Sequence, residues 1–316
     1  MARTIWRVHR FELIALTVFA ILLCAAALIM TQQLDAAVPP AGCLGGGDID
    51  PTTAAAQACS GALSRFDSLS SLAGQLWIGF AILPLAAGAI LGAGLVGQEV
   101  ERRTAQLAWS LAPSRRRWLF EGMAVLVLIL LAWLVPAAIS GHLLEGATHP
   151  TTDPTASLRD LGLRGITLVM RGLATLGVGV LAGAILGRVL PALLVSVLVG
   201  TLLLFAVQPV TKLTQNVETI GPMGSAVIGQ SILSGDAYQA SDGRLFDFES
   251  ASAQAPVGLT DSQKADWLAS NFTWVGLGIP GQRYPAVDLT LGTMLGLVMV
   301  STMAAALIVV DRRRPS

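Results

Sequence analysis

Charge is scarce in this chain. Of its 316 residues, 13% are charged and 53% are hydrophobic, and the mean hydropathy is +0.67. A water-soluble globule of this length needs more polar surface than that. The composition therefore excludes a soluble protein and predicts an integral membrane protein.

Several catalytic motifs are also missing. The sequence has no G-x-x-x-x-G-K-[ST] phosphate loop, and its only two lysines, Lys212 and Lys264, lie in a segment that we expect outside the cytoplasm. It contains no H-E-x-x-H, G-x-S-x-G or S-x-x-K motif. We therefore expect that this chain is not an enzyme, does not hydrolyse ATP and binds no cofactor of its own.

Metal ligands and buried acids are rare as well. Two of the three histidines, His142 and His149, flank Glu145 in a loop without the spacing that a metal site needs, so we predict no metal there. The apolar runs contain no acid near their middle. A proton-coupled carrier needs such acids for its relay, and the sequence therefore argues against that class.

Six apolar runs are long enough to cross a bilayer core of roughly 30 Å, which takes about 20 helical residues. We expect all six to be α-helices, because backbone amides in lipid must be paired within their own segment. The runs are residues 11–30, 77–96, 119–141, 166–187, 189–207 and 289–310. The predicted fold is an all-α integral membrane protein with a single transmembrane domain over residues 1–316.

The segments between these runs differ in charge. More than half of the 20 Lys and Arg residues lie in residues 1–10, 98–118 and 311–316. Most of the 20 acids lie in the longer segments 32–75, 142–165 and 208–288. Basic loops stay in the cytoplasm. We therefore expect a multi-pass protein of the plasma membrane with both termini in the cytoplasm and the three long segments outside.

The first ten residues carry Arg3, Arg7 and Arg10 at helical spacing. This pattern is typical of a short helix that lies in the lipid headgroup layer. A basic flank that only sets the topology of the first span explains it equally well. The predicted fold includes the interfacial helix.

The first outer segment is rich in Gly, Ala, Pro and Ser and contains Cys43 and Cys59, which are 16 residues apart. Two cysteines in one segment outside the cytoplasm are candidate disulfide partners. Closing a loop of that length would stabilise the fold by about 3 kcal/mol.

The last outer segment, residues 208–288, is too long for a passive connection. We expect a short helix pair that dips towards the membrane at residues 221–233, followed by a polar, acidic stretch. Aromatic residues return before the last span and predict an interfacial belt. They are Trp267, Phe272, Trp274 and Tyr284.

Three features inside the spans bear on packing and function. Glycines four residues apart, such as Gly88 and Gly92, predict close approach of helices. Pro84 frees a backbone carbonyl and can kink its helix. Arg171 lies well inside a predicted span, at a cost of at least ~2.5–3.5 kcal/mol. It is our candidate pathway residue, unless its helix begins early enough for the side chain to reach the interface.

Residues 98–118 combine acids, an apolar centre and a basic cluster. A loop that only sets topology needs neither the acids nor the apolar centre. The runs GQEVERRTAQLAWSL at 97–111 and SRRRWL at 114–119 resemble the loop between spans two and three in permease subunits of type-two ATP-binding-cassette exporters, especially the actinobacterial branch. In that family an E-x-E-x-G-T-like sequence leads a coupling helix. Matched residue by residue, the resemblance implies ATPase coupling at Glu99, Glu101, Thr104 and Leu107. The predicted coupling site also includes Arg102 and Arg103, the latter where the family often has Gly.

The resemblance implies a mechanism and partners. Two permease subunits, here expected as a homodimer, would form the pathway, and separate ATPase subunits would bind ATP and magnesium. The cargo would be hydrophobic or amphipathic, such as a drug, lipid or peptide antibiotic, and its export would give resistance. No nucleic-acid partner is expected. The alternatives are a membrane-embedded lipid-modifying enzyme and an ATPase-independent carrier.

Overall fold

The computed structural model describes residues 2–40, 43, 54–101 and 114–312. Within them, six helices are long and apolar enough to span a membrane, and each of the six predicted runs falls on a helix of its own. These helices are α1 (Ala2–Ala37), α2 (Ala54–Glu101), α3 (Arg115–Thr148), α4 (Gly165–Leu186), α5 (Val189–Thr214) and α9 (Tyr284–Arg312). The six-helix prediction is confirmed.

The first two helices are longer than the runs that predicted them. α1 has 36 residues and α2 has 48, whereas about 20 suffice to cross a bilayer. The prediction of a separate surface helix at residues 1–10 is corrected, because residues 2–37 form one continuous helix. No proline or glycine occurs between Arg10 and Ala37 to end it.

The chain forms two compact units. The first comprises Met1–Pro154, Gly162–Val207 and Asp288–Ser316 and contains the apolar parts of all six long helices. The second comprises Thr155–Leu161 and Gln208–Val287.

The core of the first unit is built around α4. In the most apolar stretch of α4, 78% of the residues are buried, whereas in the corresponding stretches of α5 and α9 only 17% are buried. Leu176 of α4 is fully buried in one core cluster with leucines of α2 and α3, which are Leu83, Leu91, Leu130 and Leu134. α4 is thus the central helix of this unit.

The contact between α2 and α4 depends on glycine. A Cβ atom built on Gly88 would lie 2.5 Å from the carbonyl oxygen of Gly172, and one built on Gly92 would lie 2.5 Å from that of Leu176. Neither site has room for a side chain, so the two backbones are in direct contact. The close approach predicted from Gly88 and Gly92 is confirmed.

Both ends of α4 are fixed. Its start is capped by Asp288 of α9, whose carboxylate accepts hydrogen bonds from the backbone N–H groups of Ile166 (2.8 Å) and Thr167 (2.9 Å). Its end is capped by Gly187 in the left-handed region, at φ 63°. α5 begins two residues later at Val189, so the connection between the fourth and fifth spans is tight.

The second unit contains a four-stranded antiparallel sheet with strand order β1-β4-β2-β3. The strands are β1 (Glu218–Pro222), β2 (Ile232–Ala240), β3 (Leu245–Phe246) and β4 (Phe272–Ile279). Three short helices accompany them: α6 (Ala226–Gly229), α7 (Phe248–Ser252) and α8 (Asp261–Asn271).

This sheet corrects two predictions. The all-α class holds for the spanning helices but not for the second unit. The segment predicted as a helix pair, residues 221–233, instead forms the end of β1, a turn, the single-turn α6 and the start of β2. The error has a physical reason, because β2 and β4 are far apart in the chain and stabilise each other only by pairing.

Two of the returning aromatic residues, Trp267 and Phe272, help to build the core of this unit. Phe272 is 8% exposed, and its ring centroid lies 5.8 Å from that of Trp267. Both pack with Leu268 of α8 and with Tyr238 of β2. The predicted interfacial belt is wrong for Phe272, whose ring is enclosed by protein.

Candidate functional site

The predicted coupling segment, residues 98–118, is described at its two ends. α2 continues as a helix through Glu101, and α3 begins at Arg115. Of the predicted coupling residues, Glu99 and Glu101 therefore lie on α2. The remaining four, Arg102, Arg103, Thr104 and Leu107, lie outside the described residues.

The first end of the segment contacts α5. The Oε2 atom of Glu101 accepts a hydrogen bond of 3.0 Å from the backbone N–H of Val189. Val189 is the first residue of α5, and an N–H group in the first turn has no partner within its own helix. A carboxylate also interacts favourably with the positive end of a helix. Glu101 thus holds the end of α2 to the start of α5.

Backbone packing supports the same contact. A Cβ atom built on Gly97 would lie 3.3 Å from the Cα atom of Val189, which is tighter than most real contacts. Gly97 stands one helical turn before Glu101. The end of α2 is therefore held against α5 by close packing as well as by a hydrogen bond.

The second end of the segment contacts α9. The Nη2 atom of Arg116 lies 2.6 Å from the Oδ2 atom of Asp311, near the end of α9. Ser114 caps α3 by accepting the N–H of Arg117 at 3.2 Å. The ion pair is exposed, so it contributes at most about 1 kcal/mol to stability, but it joins the start of α3 to the end of α9.

Together, these contacts connect the predicted coupling segment to four spanning helices. A displacement of residues 98–118 would act directly on α2 and α3, and through the two contacts on α5 and α9. The sequence did not indicate Val189 or Asp311 as partners, because both contacts join residues more than 80 positions apart.

Arg171 lies in the interior of the first unit. Its residue is 1% exposed, and its guanidinium donates hydrogen bonds to the carbonyl oxygens of Gly162 (2.8 Å), Phe80 (3.1 Å) and Ala81 (3.4 Å). Every acceptor is a backbone carbonyl. Among the described residues, no carboxylate forms an ion pair with it.

Pro84 explains why a carbonyl is available there. Phe80 lies four residues before Pro84 in α2, and proline has no N–H to donate to that position. Arg171 provides the missing donor. Gly172 allows the approach, since a Cβ atom built on it would already lie 3.3 Å from the Cβ of Pro84. The arginine thus fastens α4 to the interrupted turn of α2.

The two histidines considered for a metal site have different partners. The Nδ1 atom of His142 lies 3.2 Å from the Nη1 atom of the buried Arg164, which also donates to the carbonyl of Pro154 at 2.8 Å. His149 Nδ1 lies 3.5 Å from Glu145 Oε2. No group of three possible metal ligands occurs in the described ranges of the chain.

The candidate disulfide partners, Cys43 and Cys59, are bonded to each other in the structure. Their bond joins the segment after α1 to the first turns of α2. The third cysteine, Cys24, is a free, half-buried thiol on α1.

Within the described residues, six helices that can span a membrane, of which α4 is the most buried, define a multi-pass membrane protein. The family model described as ABC-2 membrane transporter related matches residues 13–212, which include most of the first five spanning helices and the whole predicted coupling segment. The chain belongs to this family and is a permease component of a transporter. In this family the membrane component is generally not catalytic and works with an ABC ATPase. No curated protein and no solved structure matches the chain.

Proposed function

We propose that the chain is the permease subunit of an ATP-driven exporter and that its ATPase acts through residues 98–118. Both termini lie in the cytoplasm, and segments 32–75, 142–165 and 208–288 lie outside the plasma membrane. The observation that carries the proposal is the pair of contacts at the ends of the coupling segment, Glu101 with Val189 and Arg116 with Asp311.

The contacts suggest how the ATPase acts. When two ATPase subunits close on ATP, they displace the segment that they hold. The Glu101 contact passes this movement from α2 to α5, and the Arg116 contact passes it from α3 to α9. Both contacts are single polar interactions at helix ends, so they can rearrange at low cost. The transport cycle alternates between access from the inside and access from the outside.

The exposed helix faces support a homodimer. α5 and α9 are mostly unburied within one chain, and α5 presents a large apolar surface. Its exposed residues include Leu190, Leu194, Leu198, Leu202 and Phe205. A second copy can cover part of this surface and lipid the rest. The apolar walls suit a hydrophobic or amphipathic cargo such as a drug, lipid or peptide antibiotic, whose export would give resistance.

Arg171 enters this proposal as a positioning residue. Its guanidinium is buried and bound to carbonyls of Phe80 and Gly162, so lining a pathway requires another conformation that releases it. Since Pro84 interrupts α2 at the same level, this junction is where α2 can bend between conformations.

Co-purification with the ABC ATPase encoded beside its gene tests the coupling. We expect the ATPase to bind wild-type protein and to be lost from Glu99→Arg/Glu101→Arg. The matched control is Asp266→Arg, a charge reversal on the exposed surface of α8, which should retain the ATPase. Absence of an ATPase from the wild type, or its retention by the double variant, contradicts the proposal. No observation favours the lipid-modifying enzyme or the independent carrier.

A further inference from the structure

The second unit contains a cleft of about 610 Å³ between α8 and the sheet. This volume lies within the usual range of small-molecule sites, about 300–1,000 Å³. Its apolar lining comes from both sides of the cleft and includes Met223, Tyr238, Phe248, Leu268, Phe272 and Trp274. The cleft lies entirely within the second unit.

The floor of the cleft is formed by buried, closely packed side chains. Leu268 and Phe272 are 5% and 8% exposed and belong to the aromatic core of the unit. The Tyr238 ring packs edge-on against Phe272, with centroids 6.4 Å apart. A floor of this kind does not need to rearrange to receive an apolar group, which keeps the entropic cost of binding low.

The rim presents open aromatic faces. Phe248 is 63% exposed and Trp274 is 48% exposed. The indole N–H of Trp274 donates to Asp236 at 2.8 Å, which fixes the orientation of the ring. Exposed aromatic faces attract ammonium groups by cation-π interaction.

Two opposite charges also line the cleft. Asp261 and Lys264 lie three residues apart on α8, a spacing at which side chains can form an ion pair. They do not pair with each other, and within the described part of the chain neither side chain forms another ion pair or hydrogen bond. Both charges therefore remain available to a ligand.

The electrostatics of the helix N-terminus favour only one of these two charges at its position. Asp261 is the first residue of α8, where a negative charge is stabilised by the positive end of the helix. Lys264 lies in the same turn, where a positive charge is unfavourable. It is half-buried and is one of only two lysines in the chain. Nothing within the described residues compensates Lys264, whereas an acidic group in the cleft would.

We propose that this cleft binds a zwitterionic amphiphile, a molecule with one acidic group and one ammonium group on an apolar body. The acidic group pairs with Lys264, the ammonium group lies between Asp261 and the aromatic rim, and the apolar body contacts Leu268 and Phe272. A purely anionic ligand would place its negative charge beside the carboxylate of Asp261, which repels it. A purely cationic ligand would place its positive charge beside the ammonium group of Lys264, which repels it in the same way. This binding does not depend on coupling to an ATPase.

Calorimetric titration of the full-length protein in dodecyl maltoside tests the proposal. Dihexanoyl phosphatidylethanolamine is a zwitterionic lipid probe, trileucine is a zwitterionic peptide probe and dihexanoyl phosphatidylglycerol is an anionic comparison. Partition of a probe into detergent is the same for every variant, so differences between variants report on the cleft. We expect at least one zwitterionic probe to bind more tightly than the anionic lipid.

The variants separate the two charges. Lys264→Gln should weaken the zwitterionic probe about tenfold, which corresponds to the loss of one charge-assisted hydrogen bond. Asp261→Asn should weaken it to a similar extent but leave the anionic lipid no weaker. The matched controls are Lys212→Gln, which removes the other lysine, and Asp266→Asn, which removes an exposed acid of the same helix. Both controls should bind as wild type does.

Each outcome is informative. Binding of the phosphatidylethanolamine probe alone identifies a membrane lipid as the source of the ligand, and binding of trileucine alone identifies a peptide. Binding of both supports the zwitterion class. The proposal is overturned if neither zwitterion binds wild-type protein, if the anionic lipid binds more tightly, or if Lys264→Gln and Asp261→Asn bind as wild type does.

Discussion

Asp288, in the first turns of α9, caps the start of α4 through Thr167. Its carboxylate accepts the Thr167 N–H at 2.9 Å and the Thr167 hydroxyl at 2.6 Å, and it is 5% exposed. Arg164 occupies the N-cap position of α4 but makes no side-chain cap. The fourth span therefore depends on the sixth for its cap.

We expect Asp288→Ala to lower the stability of the purified protein by about 2–3 kcal/mol, because the N–H groups of Ile166 and Thr167 lose their acceptor in a buried position. Asp288→Asn should cost less, since it keeps one acceptor oxygen. Thermal unfolding in detergent measures both effects. Asp266→Ala, an exposed change on α8, should leave the midpoint unchanged. Equal midpoints for Asp288→Ala and wild type would contradict the capping role.

The contact between Arg171 and the carbonyl of Phe80 predicts that Arg171 and Pro84 are energetically coupled. Arg171→Met should destabilise the protein by about 2 kcal/mol or more, because buried carbonyls lose their donor. In a Pro84→Ala background the same change should cost less, since the substituted residue would donate its own backbone N–H to the carbonyl of Phe80. A double-mutant cycle on unfolding midpoints measures this difference.

The matched control for that cycle is Pro136→Ala, which removes the proline inside α3. The cost of Arg171→Met should be the same with and without it. Additive effects of Arg171→Met and Pro84→Ala would contradict the energetic coupling. Loss of transport in Arg171→Met at unchanged stability would instead favour a pathway role for Arg171.

The spans were predictable because each is encoded locally, by a run of about 20 apolar residues that is typical of a transmembrane helix. The sheet was not, because Ile232–Ala240 becomes a strand only by pairing with Phe272–Ile279. The position of Pro84 did predict a backbone carbonyl without its helical partner four residues earlier. Which donor would reach that carbonyl depended on tertiary packing, and so did the Glu101 contact with Val189.

If residues 98–118 couple the ATPase as proposed, changes to the contacts at the two ends of this segment should reduce coupling at almost unchanged stability. Arg116→Gln should reduce cargo-stimulated ATP hydrolysis severalfold, since α3 is no longer joined to α9, while the unfolding midpoint shifts little because the pair is exposed. Arg117→Gln is the matched control, because Arg117 pairs with Glu121 within α3. Equal effects of the two changes would show that general positive charge, and not the Asp311 contact, is responsible.

The Glu101 contact can be tested in the same assay. Glu101→Gln keeps an oxygen that can accept the Val189 N–H, whereas Glu101→Ala removes the acceptor. If capping of α5 transmits the movement, Glu101→Ala should reduce stimulated hydrolysis severalfold and Glu101→Gln should retain most of it. If both lose ATPase binding in co-purification, the carboxylate contacts the ATPase directly and the capping explanation is wrong.

The disulfide between Cys43 and Cys59 links stability to topology. Reduction should lower the free energy of unfolding by about 3 kcal/mol, because the reduced chain gains the entropy of an open 16-residue loop. In intact cells, a membrane-impermeant phosphine followed by a maleimide of high mass should label both cysteines, and omission of the phosphine should leave them unlabelled. A Cys24→Ser background removes the remaining thiol. Labelling without reductant would exclude the bond, whereas labelling only after lysis would place the segment in the cytoplasm and reverse the proposed topology.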